Sequence, residues 1–325
     1  MAKGLIAFVL LAGLAAAGTA QAQSYPTRTI TLTVTAAAGG VTDVVARALG
    51  QRLAEAWGQQ VVIENKGGAA HVVGAQSVAK ATPDGYSLLV AEAGTFTINP
   101  TVYPPGKLPY DTDKDFVPIS GLVRINQALI ADNKLPANNA AELIVLAKQE
   151  PDALTYGTAG IGSAPHMNMA LFESMAGVKL QAVHYRGAAP ALNDIASGSI
   201  NLMSVSVSLA LPAVRGSRAK MLGIGSERRI PQAPDILTVA ESGLPGYQAV
   251  TWFGLFGPAK LPRDIVMKLN GEVTKIFADP DFHTRFLEPQ MFAAMPGSPE
   301  EFAAYIKKER DKWAKVIHEA NIKLE

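Results

Sequence analysis

Cysteine is absent from the 325 residues. The chain therefore has no disulfide, no thiolate nucleophile and no lipid-modified N-terminal cysteine. An excess of either charge is absent too: 29 Lys and Arg stand against 28 Asp and Glu. That excludes the basic stripe of a nucleic-acid binder, and any positive field for an anion has to be local. The five histidines, His71, His166, His184, His283 and His318, show no metal-ligand spacing. No stretch completes G-x-x-x-x-G-K-[ST] or G-x-G-x-x-G, and Ser163 lies outside any G-x-S-x-G elbow. Neither a nucleotide enzyme nor a serine hydrolase is supported, and neither a cofactor nor a metal is expected.

The one long apolar run is at the start. Lys3 precedes Leu5 to Ala17, and small residues at Ala20 and Ala22 sit three and one positions before a cut after Ala22. This is the pattern of a secretory signal peptide over 1–22; a membrane span needs about 20 apolar residues. The mature chain is expected outside the cytoplasm. Its roughly 300 residues exceed what one hydrophobic core organises, so two lobes are expected.

β-branched runs alternate with helical patterns, which favours α/β units with parallel strands. Strands are expected at Ile30 to Thr35, Val61 to Glu64, Ser87 to Ala91, Leu154 to Gly157 and Ile200 to Val205. Val45, Leu49, Leu53 and Trp57 recur every fourth residue and mark a helix with one apolar stripe. Met167, Leu171 and Met175 form another, as do Leu269, Val273 and Ile276. A terminal helix from about Pro299 to Asn321 sets Phe302, Ile306, Trp313 and Ile317 against a polar side that includes Glu309. Met167, Met169 and Met175 read as core.

Open α/β sheets bind ligands beyond the carboxyl ends of their strands. The first such loop carries Ala37, Ala38, Gly39, Gly40, Thr42 and Asp43. Its small residues let a ligand reach the N–H groups of the next helix, where a carboxylate gains from hydrogen bonds and the helix dipole. A tight turn capped by Thr42 or Asp43 fits the same letters, and the two readings stay open. A second loop has the same grammar: Thr158, Ala159 and Gly160, then Ser163 as N-cap, Pro165 in the first turn and His166. A third brings Tyr185 and Arg186, whose guanidinium fits a bidentate carboxylate pair or simply solvent. Thr95, Ser204 and Ser206 are further hydroxyls; serine alternating with valine also fits a half-exposed strand.

These residues resemble one family throughout the mature chain. The matching stretches are Ser24 to Arg28, Ala38 to Arg47, Glu64 to Ala69, Pro83 to Tyr86, Tyr110-Asp111 with Asp115-Phe116, Tyr156 to Gly160, His184 to Gly187, and Glu241 to Tyr247 ahead of Trp252 and Pro258. Together they are similar to the periplasmic solute receptors of tripartite tricarboxylate transporters, the Bug-type receptors. The resemblance implies a Venus-flytrap fold of the periplasmic-binding-protein class, with a mainly parallel sheet in each lobe. It implies a discontinuous first lobe, 23–123 plus 247–325, and an inserted second lobe, 124–246. A monomer would hold a small organic carboxylate between the lobes and meet a pair of membrane subunits, with no catalysis. The alternative is a receptor that signals through a sensor kinase.

Three departures bear on the ligand. Thr35-Ala36 stands where the family commonly has Pro-Phe, which tilts expectation toward a bulkier or aromatic acid. Ala70 and His71 replace common glycines; His71 would either donate to a second carboxylate or sit solvated in the first helical turn. Asp43 suits bracing the loop, unless an amino-acid ligand offers it an ammonium.

Overall fold

One strand runs through both halves of the molecule. The structure, a computed structural model, describes residues 25–36, 38–68, 71–185, 187–231 and 233–322. The signal peptide, Ala37 and Arg186 lie outside the described residues. The elements in chain order are β1 (Ile30–Val34), α1 (Val41–Trp57), β2 (Val61–Asn65), α2 (Val72–Ala79), β3 (Ser87–Glu92), α3 (Ala93–Thr97), α4 (Asn99–Val102) and β4 (Phe116–Ala131). There follow α5 (Ala140–Gln149), β5 (Thr155–Thr158), α6 (Ala164–Ala176), β6 (Gln181–His184), α7 (Ala188–Ser197), β7 (Leu202–Ser206), α8 (Val207–Arg215) and β8 (Lys220–Ile224). The chain closes with β9 (Val250–Pro258), α9 (Arg263–Ala278), short helical turns, β10 (Phe292–Ala294) and α10 (Pro299–Glu319).

Strand β4 is the spine. Its residues Phe116 to Asn126 pair with β9, while Gln127 to Ala131 pair with β7 on one side and, from Ala128, with β8 on the other. In the first half, β2, β1 and β3 are mutually parallel and β9 lies antiparallel between β3 and β4. In the second half β7, β5 and β6 are parallel to one another and β7 runs against β4. The α/β architecture is as expected, but each half is a mixed sheet and not a mainly parallel one: three parallel strands are joined to antiparallel pairings made by β4, with β9 and β10 in the first half and with β7 and β8 in the second.

Helices cover both faces of each sheet because each face is apolar. Ile30, Leu32, Val34 and Val90 pack with the Val45, Leu49 and Leu53 stripe of α1 and with Leu269, Val273 and Ile276 of α9. On the opposite face Leu89, Ala91, Trp252 and Phe256 meet Val72 and Ala75 of α2, and Phe302 and Ile306 of α10. In the second half Leu129, Tyr156 and Leu202 pack on Met167 and Phe172 of α6, and Ile130, Met203 and Val205 pack under α7 and α8.

Helix α10 bridges the two. Its first turns join the core of the first half through Phe302 and Ile306, while Trp313, Val316 and Ile317 join that of the second. A capping box at Ser298 and Glu301 starts it. Two sequence expectations are corrected here. Glu309, assigned to the solvent side, is buried, accepting from Trp313 Nε1 at 3.3 Å and Lys312 Nζ at 2.7 Å, because its position between Ile306 and Trp313 puts it on the apolar face of the helix. Met175, read as core, is exposed at the end of α6.

Candidate functional site

The strand directions locate the site. β3 and β4 both oppose β9, so β1, β2 and β3 run the same way as β4 and point from the first half toward the second. β7 opposes β4, so β5, β6 and β7 point back toward the first half. The carboxyl ends of both parallel sets therefore face the junction. Ser206, the last residue of β7, lies opposite Gln127, the residue of β4 where pairing passes from one half to the other.

Six helices begin at those strand ends. Their N-caps are Gly40, His71 and Glu92 in the first half and Ser163, Gly187 and Ser206 in the second, and none makes a side-chain cap hydrogen bond. Elsewhere, Asn139, Asp279 and Ser298 do cap their helices with side chains. Leading N–H groups without an internal acceptor, together with the positive ends of the helix dipoles, form a setting for an anion approached from both sides.

In the first half, Gly39 takes a φ of +81°, which L side chains rarely adopt, and Gly40 begins α1 in extended conformation. Asp43 holds this loop. Its carboxylate accepts from the Gly39 N–H, from Arg47 Nε and from Asn65 Nδ2, each at 2.9 Å. The Arg47 hydrogen bond, against the effect of burial and with help from Gly39 and Asn65, lowers its pKa to about 2. Asp43 thus braces the loop, and its donors leave it ill-placed to receive a ligand ammonium. His71 is αL at φ +73°, with Nδ1 2.8 Å from the Thr35 carbonyl and Nε2 3.1 Å from Glu92 Oε1. Both ring nitrogens thus have partners within the chain, although the side chain is 28% exposed. Thr42 is buried, as is Thr95, whose Oγ1 has no partner among the described residues.

In the second half, Thr158 Oγ1 shares a 2.8 Å hydrogen bond with His184 Nδ1 and accepts from the Gly160 N–H at 3.1 Å. Ser163 is the N-cap, but its hydroxyl donates to the Gly160 carbonyl at 2.6 Å and stabilises the loop without capping the helix. Gly160 and Gly162 both have positive φ. The Gly162 N–H donates to His166 Nδ1 at 3.0 Å, which puts the ring proton on Nε2. Burial, reinforced by His184 with its ring 5.1 Å away, lowers the His166 pKa to about 4. Tyr185 donates to Asp194 at 2.6 Å, and Ser206 Oγ is 3.1 Å from Ser208 Oγ. Ser204 is buried and accepts from Asn168, so it serves packing.

A family model described as the tripartite tricarboxylate transporter family receptor, TctC, matches residues 45–322. The chain belongs to the TctC family. A UPF0065 protein from the tcbD-tcbE intergenic region of Pseudomonas sp. strain P51 is 34% identical over 95% of this chain and 93% of its own. Among solved structures, R. palustris Rpa4515 with adipate has 33% identity and a TM-score of 0.79 over 92% of this chain and 99% of its own. MatC from Rhodopseudomonas palustris with bound malate has 33% identity and a TM-score of 0.75, over 90% and 100%.

For this TctC-family chain, the structure gathers Gly39, Gly40, Asp43 and His71 at adjacent strand ends of one half, and Thr158, Ala159, Gly160, Ser163, His166 and Tyr185 at those of the other. Sequence reasoning missed Asn65, which ties β2 to the Asp43 brace, and Glu92, the partner of His71. Asn65 was within reach, since it stands in the Glu64-Asn65-Lys66 motif. Glu92 carries no local signal, because only folding brings β3 beside the turn before α2.

Proposed function

We propose that the chain is a periplasmic receptor that closes two lobes around a small organic carboxylate and delivers it to the membrane subunits of a tripartite tricarboxylate-type transporter, performing no chemistry on it. The observation that carries this reading is the set of five helix N-termini without side-chain caps, those of α1, α2, α6, α7 and α8, aimed at the junction from both halves of a TctC-family chain. The complexes of Rpa4515 with adipate and MatC with malate support the ligand class.

The lobes are 23–123 plus 247–325 and 124–246. Support comes from the transfer of pairing between Asn126 and Gln127 on β4, and from the start of β9 at Val250. Here Gln127 N–H donates to Ala249 O at 3.3 Å, Gly225 N–H to Gln127 O at 2.7 Å and Ala249 N–H to Gly225 O at 2.8 Å. These short backbone bridges form the hinge, and closure around the ligand selects the state that the membrane subunits recognise.

The test is a thermal-shift screen of residues 23–325 against organic acids and amino acids. A ligand at 100 times its Kd stabilises the fold by about 2.7 kcal/mol. Gly40→Val places a branched side chain over the α1 N-terminus and is expected to abolish the shift; Ser163→Ala is expected to weaken it. The reading fails if no carboxylate raises the melting temperature and mass spectrometry finds none co-purified.

A further inference from the structure

Two acidic side chains of the first lobe, Asp43 in the first turn of α1 and Glu92 at the end of β3, are not equivalent. Asp43 accepts three hydrogen bonds and is buried. Glu92, last residue of β3 and N-cap of α3, has one oxygen on His71 at 3.1 Å, and no donor among the described residues meets the other. Its side chain is 29% exposed.

His71 is held so that it fixes this carboxylate. A carbonyl only accepts, so Nδ1 donates to Thr35 O, and Nε2 faces Glu92 Oε1 at an ion-pair distance of 3.1 Å. Burial alone lowers the His71 pKa, but the Glu92 hydrogen bond and charge and the Thr35 carbonyl outweigh it and raise it. The αL turn at His71 aims the ring across the end of β1 at β3, strands paired directly in the sheet. Thr35 in turn leads into the Gly39-Gly40 loop. A charged acceptor is therefore anchored one strand away from the place where a carboxylate is favoured.

We propose that Glu92, oriented by His71, selects carboxylates whose distal end carries a hydrogen-bond donor, an ammonium, amide or hydroxyl, over dicarboxylates of the same skeleton. The proposal rests on the receptor reading and names the substrate class of the same site. A second ligand carboxylate at Glu92 would set two like charges together in a partly desolvated cleft, whereas a donor would satisfy the open Glu92 oxygen. Glu92 is a specificity-determining residue and His71 a positioning one.

The experiment is calorimetric titration of the mature chain with matched acids. The straight-chain set has four to eight carbons and ends in carboxylate, amide, hydroxyl or ammonium; the aromatic set is benzoate with the same four groups at the para position. Wild type is expected to bind at least one donor-terminated acid about tenfold or more tightly than its dicarboxylate. Glu92→Gln is expected to erase or invert that ratio, chiefly by improving the dicarboxylate, and His71→Asn to shrink it with the fold intact by circular dichroism. Preference for the dicarboxylate in wild type, a ratio unchanged within twofold in Glu92→Gln, or no binding of any donor-terminated acid overturns the assignment. The receptor reading is judged separately, by the wider screen and by Gly40→Val.

Discussion

Asp43→Asn is the sharpest test of how the first loop is built. Asparagine keeps the shape of aspartate but turns one acceptor oxygen into a donor. With its amide nitrogen at the Oδ2 position, it opposes the Gly39 N–H and Arg47 Nε; with the nitrogen at Oδ1, it opposes Asn65 Nδ2. The less harmful orientation still loses the Asn65 bond and leaves two buried donors facing each other. A hydrogen bond to a charged group contributes about 1.5 to 3 kcal/mol, and an unsatisfied buried group costs about 1 to 3. Because Asn65 keeps its 3.2 Å bond to the Ala36 carbonyl, the expected loss is about 2 to 4 kcal/mol in urea unfolding at pH 7. Arg47→Gln, which removes only the exposed partner, should cost about 1 kcal/mol or less. The pKa of Asp43 falls from 3.8 to about 2 on folding, so the unfolded chain takes the proton first as pH drops. Its contribution is full above pH 3.8 and fades toward pH 2, and the variant should lack that slope. An Asp43→Asn protein within about 0.5 kcal/mol of wild type, with ligand affinity unchanged, would refute the reasoning.

Three further outcomes are expected. His166 is held neutral, its pKa lowered from 6.5 to about 4, so stability should fall as pH drops from 6.5 through 4, by about 3 kcal/mol at most, and His166→Asn should flatten that limb in urea titrations at stepped pH. Gly254→Ala puts a Cβ 2.3 Å from Phe302 Cζ and 2.7 Å from Cε1, which should displace the start of α10 and cost about 1 to 3 kcal/mol by chemical denaturation. Trp313→Ala empties the site where α10 enters the second core and removes a donor from buried Glu309; a loss of about 3 to 5 kcal/mol is expected, with faster amide exchange in the last turns of α10.

Much of this was readable before folding. The Val45, Leu49 and Leu53 stripe identified α1 because a helix brings every fourth side chain to one face, and all three are fully buried. The five anticipated strands fall within two residues of β1, β2, β3, β5 and β7, since runs of apolar residues ended by glycine or hydroxyl residues mark strands that turn into helices. The two loops were legible as tight strand-to-helix turns from their small residues, and Gly39, Gly160 and Gly162 take positive φ there.

The spine β4 was not legible. Pro118, Gly121, Arg124 and Asn126 interrupt its apolar pattern, and it bulges near Pro118, Gly121 and Leu129. A strand that changes neighbours midway meets a different environment in each half, so no single period describes it. Glu309 was misplaced because it was sorted by its charge: three residues after Ile306 and four before Trp313, it lies on the apolar stripe itself, where Lys312 and Trp313 donate to it. In the sequence His71 was readable as a donor to a ligand carboxylate or a solvated first-turn residue and Glu92 carried no signal; the parallel pairing of β1 with β3 set their ends side by side. Local pattern thus determined the elements and the loops between them. Which loops face each other, and which carboxylate has an oxygen that no donor among the described residues meets, depended on strand order and direction, because those bring together residues that share no sequence neighbourhood.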